Sequence, residues 1–153
     1  MTGVELLKAA DSLEEYLSSY DPLLGRKENR EHFRQFARGQ LGTIERKSLE
    51  PMADAEGTSP RTLQLFFSKT QWDEEAVRDE LQRRIAEQYG GEDAMFVIDP
   101  TSDAKKGKHT AGVERQYCGE SGKIDNCIVT VHLGYTRGDF RALIDGRLYL
   151  PKS

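Results

Sequence analysis

The feature that most constrains this chain is a change of hydrophobic period at Gly90-Gly91. Before that pair, apolar residues recur three and four positions apart; after it, they alternate or gather in short blocks. Three-and-four spacing places side chains on one face of a helix, and two-residue spacing places them on one face of a strand. The chain therefore reads as α+β, with a helical region over 1–90 and a β-rich region over 91–153. The second region is expected to form a small, mostly antiparallel sheet.

The helical half divides at its breakers. Leu6, Leu7, Ala10, Leu13, Leu17 and Tyr20 give Val4–Ser19 an apolar stripe, and Asp21-Pro22 ends it. A second helix is expected from Lys27 to Gln40, with Phe33, Phe36 and Ala37 inward and Arg30, Arg34 and Arg38 as a basic edge. Thr43 can cap a third through Ile44, Leu49 and Met52, bent at Pro51. Ser59 and Pro60 then fit the cap and first position of a fourth, which carries Leu63, Phe66 and Phe67 inward. Trp72-Asp73-Glu74-Glu75 opens the last, whose acids suit the positive end of the helix dipole. Beyond Gly91, Ala94–Ile98 reads as a short buried strand ending at Asp99. Thr101–Thr110 reads as a Lys-rich loop, and Ala111–Cys118 and Cys127–Tyr135 as strands. Phe140–Ile144 and Arg147–Leu150 follow, joined by a tight turn at Asp145-Gly146.

Composition narrows the function. Hydrophobic residues at 37 % and charged residues at 31 % describe a globular chain. No apolar run approaches the ~20 residues of a membrane helix. Glu5 and Lys8 interrupt the first ten residues, which therefore do not read as a signal peptide, and a soluble cytoplasmic protein is expected. Cys118 and Cys127 are the only cysteines, too few for a zinc signature or a disulfide framework. The net charge of −4 argues against nonspecific coating of nucleic acid. The charge is uneven, with seven Lys/Arg against three Glu over 26–47 and eight acids against three Arg over 71–93. One face can meet an anion, although two ordinary solvated helices give the same pattern.

Two local features can carry function. Glu45–Lys69 has the outline of a helix-turn-helix, with a turn at Gly57 and exposed candidates Arg61, Thr62, Gln64 and Lys69 at the second helix. Glycine-linked helix pairs are as common in proteins that never touch DNA, so both readings stand. The other feature is Asp99 at a strand end, followed by Thr101. An acid there can bind Mg²⁺ or act as a base, or simply form the turn before Pro100. One carboxylate does not make a two-metal site, and the spacing of Asp103, Asp125 and Asp145 does not converge on Asp99. His109 and His132 lack ligand-type partners and read as ordinary polar positions.

Longer blocks sharpen this reading. Val97-Ile98-Asp99-Pro100-Thr101, Lys105-Lys106-Gly107-Lys108-His109, Gly112-Val113, Arg115-Gln116-Tyr117, Gly122-Lys123-Ile124, Asn126-Cys127 and Leu148-Tyr149-Leu150-Pro151-Lys152 resemble the DDE-class transposases of bacterial insertion sequences. So do Leu41-Gly42, Ile44-Glu45-Arg46-Lys47-Ser48, Glu50-Pro51-Met52-Ala53, Leu63-Gln64, Trp72-Asp73 and Ala76-Val77-Arg78 in the helical half. The resemblance runs in order from about Arg34 to Lys152. It implies a helical part that helps bind transposon ends, then the first strands of an incomplete ribonuclease-H-like domain. The family's first catalytic carboxylate sits in an Asp-x-Thr pattern, which places it at Asp99 with Thr101. Pro100 stands where the family usually has a second acid, and Ser102 and Asp103 replace a Gly and an aromatic residue. The family's second Asp and its Glu fall beyond the matched blocks. The resemblance therefore implies a truncated protein that does not cut or join DNA alone, with a sheet edge and face to be covered, for example in a homodimer.

Three functions follow, in order of support. The first is a truncated or domesticated transposase, a regulator or remnant that keeps duplex DNA binding. It would use Arg30, Arg34, Arg38, Arg46, Lys47, Arg61, Thr62, Gln64 and the Lys105, Lys106 and Lys108 loop. No cofactor is required, though Mg²⁺ at Asp99 is possible if the ancestral site survives. The second is an enzyme acting on a small molecule in a cavity around Asp99, with His109, Arg115 or Tyr117 doing acid–base work. The third is a dimeric interaction protein.

Overall fold

The computed structural model describes residues 2–151; Lys152 of the last matched block and the side chain of Leu6 lie outside the described set. The chain forms two compact units that divide within one helix, between Val77 and Arg78, rather than at Gly90-Gly91. That helix, α6 (Glu74–Tyr89), gives Val77 to the helical core and Leu81 and Ile85 to the sheet core. A change of sequence period marks where helix stops. It does not mark where one core gives way to another.

The helical unit contains α1 (Gly3–Ser18), α2 (Asp21–Leu24), α3 (Lys27–Leu41), α4 (Leu49–Ala55), α5 (Pro60–Lys69) and the start of α6. Thr2 and Glu5 form a reciprocal capping box that satisfies two orphan N–H groups of α1. Asp21-Pro22 ends α1 by opening one further helical turn, α2, which is stopped by Gly25 at φ 68°. Tyr20, Leu24 and Phe66 form the core, backed by Leu23, Phe33, Trp72 and Val77. Gly39 lets α3 and α4 approach, because a Cβ there would lie 2.9 Å from the Met52 Cβ.

The third helix is shorter than the sequence predicts. Residues 43–48 are not helical, and α4 begins at Leu49 after Ser48. Lys47 Nζ donates to the carbonyls of Gly39 and Gly42, so it caps the end of α3 instead of starting a new helix. Pro51 falls in the first turn of α4, where its missing N–H leaves no helical bond unmade and no bend is needed. Ser59 does occupy the N-cap of α5, but its side chain makes no cap bond.

The sheet unit holds β1 (Met95–Ala104), β2 (Glu114–Cys118), β3 (Lys123–Arg137) and β4 (Phe140–Leu148), all antiparallel partners of β3. Strand β1 lies along one edge of β3, with β4 and β2 end to end along the other. This confirms the α+β class and an open, antiparallel sheet compatible with an incomplete ribonuclease-H-like domain. Ile85 of α6 packs on Tyr135 and Ile144, with Leu81, Ala94, Leu133, Phe140 and Ala142 around them. The Tyr135 hydroxyl donates to the Tyr89 carbonyl at 2.6 Å, and Tyr89 stacks on Phe140.

Three strand expectations are corrected. The Lys-rich segment is not loop from Thr101, because β1 continues to Ala104 on partners supplied by the long β3. Asp145-Gly146 is not a hairpin turn. Phe140–Leu148 is one strand, and the turn is Gly138-Asp139, with Gly138 at φ 56°. A bulge carries Ile144 between Leu143 and Asp145, so adjacent residues both serve the α6 side. Ile144 enters the core and accepts a hydrogen bond from Gln82, while Asp145 pairs with Arg78 at 3.1 Å. Finally, β1 is not buried: Met95, Phe96, Val97 and Ile98 are all more than half exposed.

Candidate functional site

Strand alternation and the β1–β3 register decide what surrounds Asp99. It lies directly opposite His132, with Val97 opposite Gly134 and Thr101 opposite Thr130. These residues share the sheet face away from α6, since Tyr135 and Leu133, their odd-numbered neighbours, join the core. Asp99, Thr101, His132, Val97, Gly134 and Leu143 line a shallow cavity of about 230 Å³. His132 Nε2 is 2.9 Å from the Thr130 hydroxyl. Its ring occupies space that Gly146 leaves free, because a Cβ there would lie 3.0 Å from His132 Nδ1. The Asp99 carboxylate is exposed and makes no hydrogen bond or ion pair among the described residues.

This arrangement can hold a cation or polar group weakly, with one carboxylate, one hydroxyl and one imidazole on an open face. A divalent hard cation takes six or more oxygen ligands, several of them commonly carboxylates. No group of three or more His, Cys, Asp or Glu side chains that could hold a metal ion occurs among the described residues. Sequence spacing gives His132 no partner, and only the strand register sets it opposite Asp99.

The other acid–base candidates are elsewhere. Arg115 and Tyr117 pair with Asn126 and Ile124, six and eight positions along β3 from His132. Both are exposed, as is His109 in the loop before β2, and none lines the Asp99 cavity. In the same loop, Lys106 and Lys108 are exposed, while Lys105 pairs with Asp103. Asn126 fixes the loop by donating to the carbonyls of Lys105 and Gly107.

In the helical unit the expected basic edge is divided between structural and open positions. Arg34 is buried at the centre of an ion network. It donates to Glu14 at 2.6 Å, to both oxygens of Asp21 and to Ser18. The Asp21 hydrogen bond raises the Arg34 pKa, and the same bond holds Asp21 below the usual carboxylate range. Arg38 is held by Glu56 and Glu31, whose hydrogen bonds raise its pKa against the opposing effect of burial. Arg30 donates to the Gly25 carbonyl, and Lys47 caps α3. Arg46, Arg61 and Gln64 are exposed and Thr62 half-buried, the last three in the first turns of α5.

Helix α4, the turn around Gly57 at φ 66° and helix α5 supply the predicted pair of helices, shortened at its start. A separate polar cavity of about 540 Å³ lies between Arg26, Asn29, Lys69, Thr70 and Gln71, with Leu65 at its wall. Sequence reading named only Lys69 there, since 26–29 and 69–71 meet only when α3 and α5 pack.

Comparison of the sequence with known proteins shows its family. The family model described as DDE superfamily endonuclease matches residues 19–153. The chain is 33 % identical over 120 residues to the probable transposase for insertion sequence element IS701 of Microchaete diplosiphon. That match covers 78 % of this chain and 32 % of the relative, so the chain spans about a third of the relative's length. No solved structure matches significantly. No helix among the described residues is long and apolar enough to cross a membrane. With the Asp-x-Thr pattern on β1 and the match over 19–153, the chain belongs to the DDE superfamily endonucleases and is similar to insertion-sequence transposases.

Proposed function

We propose that this chain binds duplex DNA as part of a transposase-type protein. The observation that carries this reading is the open start of α5. Arg61, Thr62 and Gln64 project where the second helix of a helix-turn-helix meets bases and phosphates. Arg46 and the cavity lined by Arg26 and Lys69 add positive charge in the same unit. Arg34 is left out of this surface because Glu14 and Asp21 already hold it. Asp99 stands as the first carboxylate of the family pattern. Strand transfer takes several acids that hold two metal ions about 4 Å apart, and Asp99 would be one of them.

Fluorescence anisotropy with a labelled duplex over a salt series tests this. Wild type should bind at low salt and lose affinity steeply as salt rises, because phosphate contacts release counterions. Arg61→Ala should bind several-fold more weakly, with a log–log salt slope smaller by about one if the contact is to phosphate. Absence of binding at about 20 mM salt sinks the proposal. The small-molecule reading finds less support. The Asp99 cavity is below the ~300 Å³ typical of ligand sites, and His109, Arg115 and Tyr117 do not reach it.

A further inference from the structure

Building on the duplex-binding reading, we infer that the cavity between α3 and α5 seats one phosphate of a DNA backbone between Arg26 and Lys69. Arg26 precedes α3 and Asn29 lies in its first turn, while Lys69 ends α5 and Thr70 and Gln71 follow it. These residues and Leu65 line a cavity of about 540 Å³, and none of the six is acidic. Neither Arg26 nor Lys69 has an ion pair among the described residues, whereas Arg34 and Arg38 are each held by two acids.

The charge of the cavity decides its ligand. The end of α5 presents about half a negative charge and the start of α3 about half a positive one, so the helix ends cancel. The positive charges of the two side chains remain, and they take an anion. The Thr70 hydroxyl and the Gln71 amide make no hydrogen bond among the described residues and can donate to its oxygens. Asn29 donates to the Leu24 carbonyl at 3.0 Å, which steadies that wall. Leu65 is the one apolar residue of the six, and none is an aromatic ring on which a base could stack. A phosphate is recognised here, and not a nucleobase.

Position along α5 favours a phosphate of DNA over a free anion. Arg61, Leu65 and Lys69 are spaced by one helical turn, so they form one row along the helix, and all three are exposed. From Arg61 to Lys69 the row runs about 12 Å, at ~1.5 Å per residue. The major groove of DNA is about 12 Å wide. A helix whose first turn meets base edges in the groove therefore brings its last turn to a flanking phosphate. Phosphate contacts fix register and orientation, while base contacts carry the sequence. Arg26 reaches the same cavity from the α3 side, so one phosphate ties both helices to the duplex.

Two measurements test the seat. Inorganic phosphate, titrated to about 50 mM against chloride at equal ionic strength, probes it without DNA, a range matched to weak binding. Backbone amide NMR shifts should concentrate at 26–29 and 69–71, and the Arg26→Gln, Lys69→Gln double variant should abolish them. Fluorescence anisotropy with a labelled random-sequence duplex reads the DNA contact. Arg26→Gln and Lys69→Gln, both at exposed positions, should each weaken binding several-fold. The double variant should lower the log–log salt slope by about one in total, because both cations serve a single phosphate. Lys69→Arg should keep the wild-type slope. A fall of about two assigns the cations to separate phosphates and overturns the shared seat. Wild-type affinity and slope in the double variant overturn the inference and leave duplex binding intact. A wild type that binds no duplex sinks the duplex-binding reading, and this assignment with it, even where the phosphate shifts remain. Phosphate shifts absent from 26–29 and 69–71 overturn the seat by themselves.

Discussion

Phe66 and Ile98 are both large and apolar, and they meet opposite fates. Phe66 is 1 % exposed, with Phe67, Trp72 and His32 rings around it and Tyr20 and Leu24 in the same core. Ile98 is 72 % exposed on a strand paired along one side only. The helical unit has several short helices to fold over one another, so each stripe finds a partner. The sheet unit has α6 behind its centre and nothing among the described residues beyond β1. The difference shows where added material would stabilise the molecule and where it already has what it needs.

Two intrinsic probes follow the units separately. Trp72, the sole tryptophan, packs on the helical core, while the thiols of Cys118 and Cys127 are fully buried in the sheet unit. Phe66→Ala should have the largest effect, removing about 3–5 kcal/mol of stability. The denaturation midpoint read by Trp72 emission should then fall further than the midpoint read by thiol labelling. Equal shifts would show that the units unfold together.

Arg34→Ala comes next. Breaking a buried ion pair costs about 3–5 kcal/mol, reduced here to about 2–3 kcal/mol because Glu14 is half exposed. This variant should lose stability in urea denaturation while the folded protein keeps its DNA affinity, unlike Arg61→Ala. Loss of binding at unchanged stability would return Arg34 to the DNA-contact surface.

Acid should act more gently on the same network. Asp21 is held below its ordinary pKa by the Arg34 hydrogen bond. A depressed carboxylate adds stability above its unfolded pKa, about 3.9, and that stability is lost as pH falls through the lower folded value. Trp72-monitored stability should therefore fall as the pH drops below ~4, and Arg34→Ala should remove that component. The smallest effect belongs to Ile98→Thr, at a 72 % exposed position, expected within about 0.5 kcal/mol. A large loss there would mean that β1 is covered after all.

The sequence by itself determined the elements whose causes are local. The period change at Gly90-Gly91 separated helix from strand, Ser59-Pro60 marked the start of α5, and the Asp-x-Thr pattern with its flanking blocks named the family. Where it failed, a distant partner overrode a local signal. Asp145-Gly146 looks like a turn, but β3 is long enough to keep β4 extended past it, with Gly146 making room for His132. Residues 43–48 have a plausible cap in Thr43, but Lys47 reaches back to end α3 instead. Arg34 and Arg38 look free in a list of charges, because Glu14, Asp21 and Glu56, which bind them, lie 13 to 20 positions away. Only the tertiary structure placed His132 beside Asp99 and Arg34 between Glu14 and Asp21. Strand register and ion pairing depend on residues brought together by packing, and a period or motif read along one segment holds no information about which those residues are.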